Sequence, residues 1–223
     1  MMAEHTVKAF DEDITRLRGL IAEMGGLAEL SIQQSMEALV SGDEVLAAEV
    51  VARDKKLDAI ETEVDAMAIQ MLALRSPMAD DLREIIAALK IGGVLERVGD
   101  YAKNIAKRVK RIEGRSHFEP LTLIPAMADL AGEMVHDVLT AYAARDAELA
   151  RDVILRDDKV DAFYDSIFRN LVSYMMENPA TISSAAHLLF VARNLERIGD
   201  HATNVAEMVH FAAVGTYPND IDR

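Results

Sequence analysis

Apolar residues recur along this chain at steps of three and four. Ile14, Leu17, Leu20, Ile21, Met24, Leu27 and Ile32 fall on one helical face, with charged residues between them. The same period persists almost to the end, and the two-residue alternation of a strand is nowhere sustained. The pattern predicts six helices, over 4–41, 44–74, 77–112, 121–144, 147–177 and 180–213. The breaks have physical causes. Ser41-Gly42-Asp43 offers a glycine at which one helix ends and an acidic cap for the next. Ser76-Pro77 places a hydroxyl before a proline suited to a first helical turn, and Asp80 and Asp81 complement the dipole there. Asn178-Pro179 repeats the device. The stretch 113–120, EGRSHFEP, is the obvious linker. The basic run before it (Lys103, Lys107, Arg108, Lys110, Arg111) reads as cations facing water near a helix C-terminus.

The chain is written twice. Asp43, Leu46, Ala47, Val50, Arg53, Asp54 and Asp58 match Asp146, Leu149, Ala150, Val153, Arg156, Asp157 and Asp161 at a constant offset of 103. LERVGDYAKNIA at 95–106 then matches LERIGDHATNVA at 195–206 at an offset of 100. Each half predicts three helices, and short connections make neighbours antiparallel. The expected fold is all-α: two tandem, rod-like three-helix bundles from an internal duplication, over 1–114 and 120–215.

Composition narrows the function without naming it. With 223 residues, 51% of them hydrophobic, a sizeable core can be buried. The net charge of −14 repels nucleic-acid backbones and argues against that partner class. It also disfavours free phosphate as a direct ligand, unless a bound cation or a local basic cluster inverts the field. The absence of cysteine removes disulfides, zinc–thiolate sites and thiol catalysis together. The opening MMAEHTVKAFDEDI has no apolar core of a secretory signal. No run approaches the roughly 18–20 apolar residues that span a bilayer. The expectation is a cytoplasmic chain without membrane insertion, and a homodimer on the general prevalence of two-fold assemblies.

Candidate chemistry lies in the repeated acidic stretches. On a helix, Leu95, Val98, Ala102 and Ile105 form an apolar stripe, and Glu96, Asp100 and Asn104 a polar one roughly opposite. Gly99 recurs as Gly199. A mid-helix glycine costs about 1 kcal/mol relative to alanine, so something needs the space. As a plain surface, Asp100 would pair with Lys103 and Lys107. In the second copy those lysines become Thr203 and Glu207, while Glu196, Asp200 and Asn204 remain. Acids that persist without their partners point to metal ligation, because hard cations take several carboxylate oxygens and an i, i+4 pair supplies half a site. The other half is expected from the second helix of each repeat. Asp54 and Asp58 would join Glu96 and Asp100; Asp157 and Asp161 would join Glu196 and Asp200. Asn104, Asn204, Glu61 and Asp165 are candidates for additional or outer ligands, and Asp65 continues the same face. Such a set does not distinguish iron, zinc, manganese, magnesium or calcium, although zinc-finger chemistry is excluded.

Other features carry less. His136 reads as a satisfied polar residue and Met175-Met176 as core, while His201, at the Tyr101 position and next to Asp200, is a minor candidate to tune a site. There is no Walker A loop, GxGxxG or nucleophile elbow. The Glu-x-x-His pairs of oxygen-activating di-iron bundles are missing. Two alternatives stand beside a metal-loaded adaptor. One is a metal-dependent helical hydrolase, for which no nucleophile or phosphate-cradling loop is present. The other is a scaffold whose acids serve solubility.

The duplicated LER-[VI]-GD-x-A-x-N-[IV]-A, the RDxxxD at 53–58 and 156–161, and RSPxxDDLR at 75–83 resemble the PhoU family of phosphate-signalling proteins. The resemblance covers about residues 8–213, with three motifs in order and two of them repeated. It implies two three-helix bundles and a non-enzymatic negative regulator of phosphate uptake and of the starvation response. It implies as partners the ATPase of the high-affinity phosphate importer and a membrane sensor histidine kinase. It also implies metal on the acidic pairs at 54/58, 96/100, 157/161 and 196/200. One departure is that no DLR follows Pro179, where Ala180, Thr181, Ile182 and Ser183 stand.

Overall fold

The computed structural model describes residues 2–112 and 122–218; the predicted linker 113–120 lies outside the described residues. The helices are α1 (Met2–Ser41), α2 (Glu44–Arg75), α3 (Asp80–Ala106), α4 (Leu123–Ala144), α5 (Ala147–Ile154), α6 (Asp157–Glu177) and α7 (Ile182–Val214). Short 3-10 turns stand at Val109–Arg111 and Pro179–Thr181. No strand occurs among the described residues, as the periodicity predicted.

Three predicted boundaries are corrected. The fifth helix, read as 147–177, divides into α5 and α6 at Leu155–Arg156. There the Arg156 and Lys159 amides bond to carbonyls three residues back, so the winding tightens. The third helix starts at Asp80 rather than 77. Ser76 ends α2 in the left-handed region (φ 47°) and Ala79 also has positive φ (46°), so Pro77 sits in a loop between them. That helix also stops at Ala106, before the 3-10 turn. The acidic cap read at Asp43 holds, and Asp146 repeats it in the second half. Asp43 Oδ1 accepts from the Val45 and Leu46 amides at 2.9 and 3.0 Å, and Asp146 Oδ1 from Glu148 and Leu149 at 3.0 Å each.

Helices α1–α3 pack as one bundle and α4–α7 as the other. The bundles lie side by side. Helix α3 runs antiparallel to α7: Lys90 meets Tyr217, Tyr101 meets His201, and Arg108 meets His187. Helix α1 meets α4, where His136 Nδ1 lies 3.0 Å from Glu29 and Gly25 makes room for Leu139. Buried residues of both halves form one continuous hydrophobic cluster. A polar tie crosses it. Glu84, 5% exposed, accepts from Arg18 Nε at 2.5 Å and stands 3.4 Å from Arg145 Nη1 at the end of α4. Among the described residues no helix is long and apolar enough to cross a membrane.

Candidate metal centre

The repeated glycines bring the acidic helices together. A Cβ on Gly99 would lie 2.3 Å from Leu57 Cδ1, and one on Gly199 would lie 3.2 Å from Val160 and 3.3 Å from Asp157 Oδ1. Leu57 and Val160 are repeat equivalents, each preceding the second aspartate of its RDxxxD motif. The missing side chain therefore lets α3 close onto α2 and α7 onto α6, so that carboxylates from two helices face one another. The arginines of RDxxxD set the rotation from the far side. Arg53 donates to Gln34 Oε1 of α1 at 2.5 Å, and Arg156 Nη2 stands 2.6 Å from Asp137 Oδ2 of α4.

On the first face the structure gathers Asp54, Asp58, Glu61, Glu96 and Asp100. Glu96 is pushed above the usual carboxylate range by burial first, and then by the charges of Asp100, Glu61, Asp58 and Asp54. Burial, Asp65 and Asp58 likewise raise Glu61, against Arg97. A cation is already present. Lys103 Nζ stands 2.6 Å from Asp54 Oδ2 and also pairs with Asp100, so the surface pairing expected of Asp100 is realised here and reaches across to α2. Burial works to lower the Lys103 pKa, but the bonds to Asp100 and Asp54 outweigh it and hold it above its ordinary value.

The second face gathers Asp157, Asp161, Glu196 and Asp200, with Asp158 beside them. Burial, then Asp200, Asp161 and Asp158, push Asp157 up to about 6. Glu196 is raised by burial and Asp200, with Arg193 opposing. Arg193 pairs with Glu196 Oε1 at the edge of the face, but Glu196 Oε2 and Asp157 Oδ1 are buried without a hydrogen-bond partner. Among the described residues no cation forms an ion pair with Asp157, Asp161 or Asp200.

The donor chemistry of the second face suits a hard cation: Asp157 of α6 and Glu196 of α7 each keep a buried carboxylate oxygen without a hydrogen-bond partner. No three His, Asp or Glu side chains among the described residues stand in closed ligand geometry. The outer candidates scatter. Asn204 lines a crevice between α3 and α7 with Glu61, Glu96 and His201, and bonds to His201 Nδ1 at 3.3 Å. No hydrogen bond joins Asn104 to the acids, and Asp165 raises neither Asp157 nor Glu196. His201 stacks on Tyr101 at 5.3 Å, a packing role at the bundle interface. The sequence reading missed Arg193 and Asp158. Arg193 replaces Gly93 of the first half, a difference legible only when the repeats are aligned beyond their shared residues.

The comparisons with known proteins agree with this architecture. The family model described as the PhoU domain matches twice, over residues 21–109 and 124–209. A phosphate-specific transport system accessory protein PhoU homolog of Zymomonas mobilis is 53% identical over 211 residues, covering 95% of this chain and 89% of that protein. The homolog of the same name from Caulobacter vibrioides is 46% identical over 215 residues, covering 96% and 94%. The crystal structure of PhoU from Pseudomonas aeruginosa superposes with a TM-score of 0.90 at 37% identity, over 93% of this chain and all of that one. With each half of the duplication matched by the same domain and its fold matched along nearly the whole length, the chain belongs to the PhoU family.

Proposed function

We propose that this chain is a non-enzymatic negative regulator of phosphate uptake and of the phosphate-starvation response. It couples the ATPase of the high-affinity phosphate importer to a sensor histidine kinase, with divalent or iron-type cations held on its acidic helix faces. The observation that carries the regulatory reading is the likeness, over 95% of the chain, to a protein named as an accessory of phosphate-specific transport. The unpaired buried oxygens of Asp157 and Glu196 support the metal reading.

The test replaces the chromosomal copy with Asp157→Ala plus Asp200→Ala and reads a phosphate-starvation reporter in phosphate-rich medium. The reporter is expected to switch on at normal protein abundance. A reporter that stays off in this variant removes the acids from the function. One that stays off when the whole chain is deleted removes the regulatory role. Turnover of nucleotides or phosphoesters by the purified chain with magnesium or manganese would replace this reading with the hydrolase.

A further inference from the structure

We propose that the two acidic faces are unequal: Lys103 is the built-in cation of the first, and this protein takes its metal on the second alone. The proposal rests on the metal reading above and divides it between the halves. In the first face the ammonium occupies the place between the helices where an ion would bridge them, touching Asp54 of α2 and Asp100 of α3. It is enclosed, with the side chains of Lys103 and Asp54 only 18% and 11% exposed. A tethered charge is held at high local concentration. To bind between the same carboxylates, an ion must first displace an ammonium that already pairs with both of them, which lowers its apparent affinity. Asp54 Oδ1 remains without a partner, but its carboxylate is already neutralised through Oδ2.

The second face lacks this device at the matching position. Thr203 stands where Lys103 does, and its hydroxyl donates to the Gly199 carbonyl at 3.3 Å, adding no charge. Arg193 reaches only Glu196 Oε1 and lies over the Tyr164 ring, at the margin. Arg193 sits on α7 with Glu196 and compensates it through Oε1, as Lys103 does Asp54, so among the described residues no ion pair joins α7 to α6. Asp157 keeps a buried Oδ1 without a partner, and Glu196, 9% exposed, keeps Oε2 so. Their neighbours Asp161 and Asp200 bring further negative charge. One repeat has thus replaced an exchangeable ion with its own side chain, and the other has kept the demand for an external one.

The full chain is stripped with chelator and equilibrated with manganese(II) or, anaerobically, iron(II). Bound metal is then counted by elemental analysis in wild type, Lys103→Thr, Thr203→Lys and Asp157→Asn plus Asp200→Asn. Unchanged helical circular dichroism is the folding control. Metal is expected in wild type and lost in Thr203→Lys and in the double variant, while Lys103→Thr holds about twice the wild-type amount. Stripped Lys103→Thr is expected to melt below stripped wild type and to gain more in melting temperature from metal. Retention of about half the metal by the double variant, or no gain in Lys103→Thr, overturns the inequality while leaving metal binding intact. Metal absent from both wild type and Lys103→Thr overturns the metal reading, and this proposal with it.

Discussion

At the scale of single residues, two positions decide how the acidic faces form. Gly99 allows α3 to approach α2 so closely that a methyl group there would overlap the tip of the Leu57 side chain, in a residue 1% exposed. Gly99→Ala gains about 1 kcal/mol of helix propensity, against an overpacking cost of roughly 1–3 kcal/mol. The expected result in urea unfolding is net destabilisation. Gly199→Ala should be nearly neutral, since Val160 at 3.2 Å needs to give only slightly. A stabilised Gly99→Ala would mean that the helices are not so close in solution. The second position is Asp157. Its folded value of about 6 exceeds the ordinary 3.8, so its contribution to stability is full below about 4 and lost as pH rises through about 6. Between pH 7.5 and pH 5 these acids favour a higher melt of chelated protein at the lower pH, with Glu61, Glu96 and Glu196 acting alongside Asp157, and the lowered His187 and His201 work against that difference. Asp157→Asn should reduce that difference. An unchanged profile would show that repulsion on this face is relieved some other way.

At the scale of elements, the duplication is kept where a helix must start and relaxed where it must bend. Asp43 and Asp146 cap α2 and α5 through the same pair of bonds. Each cap replaced by alanine should cost about 1 kcal/mol. The effect should be local at Asp146, because α5 spans eight residues and buries only Ala150 and Val153. Amide hydrogen exchange over 147–154 is expected to accelerate in Asp146→Ala while α7 stays protected; unchanged exchange would mean that packing alone holds α5. The arginines at 53 and 156 pin their helices to α1 and α4 through different partners, Gln34 and Asp137. Arg53 lies inside an unbroken helix and Arg156 at the break between two.

At the scale of the molecule, the halves share one core. Buried side chains run from α1 through α7 without a gap, and Glu84 joins α1, α3 and the end of α4 through Arg18 and Arg145. Two bundles joined this way should unfold together. Calorimetry and circular dichroism are expected to give one coincident transition for the stripped protein. Two separable transitions would show that the interface of α3 with α7 contributes little, and that each half folds on its own. The same interface forms a crevice lined by Asn204 of the second half and by Glu61 and Glu96 of the first.

The sequence by itself determined the helical class, the duplication and the Asp43 cap, and it named the acids that the structure gathers on each face. These depend on local periodicity and capping chemistry, or on repeat positions that reappear at a fixed spacing. The helix break at Leu155–Arg156 and the late start of α3 at Asp80 were not legible, because good helix formers stand at both places and only the tightened turn and the positive φ values at Ser76 and Ala79 mark them. The sequence also marked Lys103 as a partner for Asp100. Only the tertiary structure decided that it reaches across to Asp54, while Thr203 brings no charge to Asp157, whose Oδ1 is buried without a partner. Periodicity tells which residues share a helix face. Which charge stands between two helices depends on how closely they approach and on what each side chain can reach, and both are properties of the packed chain.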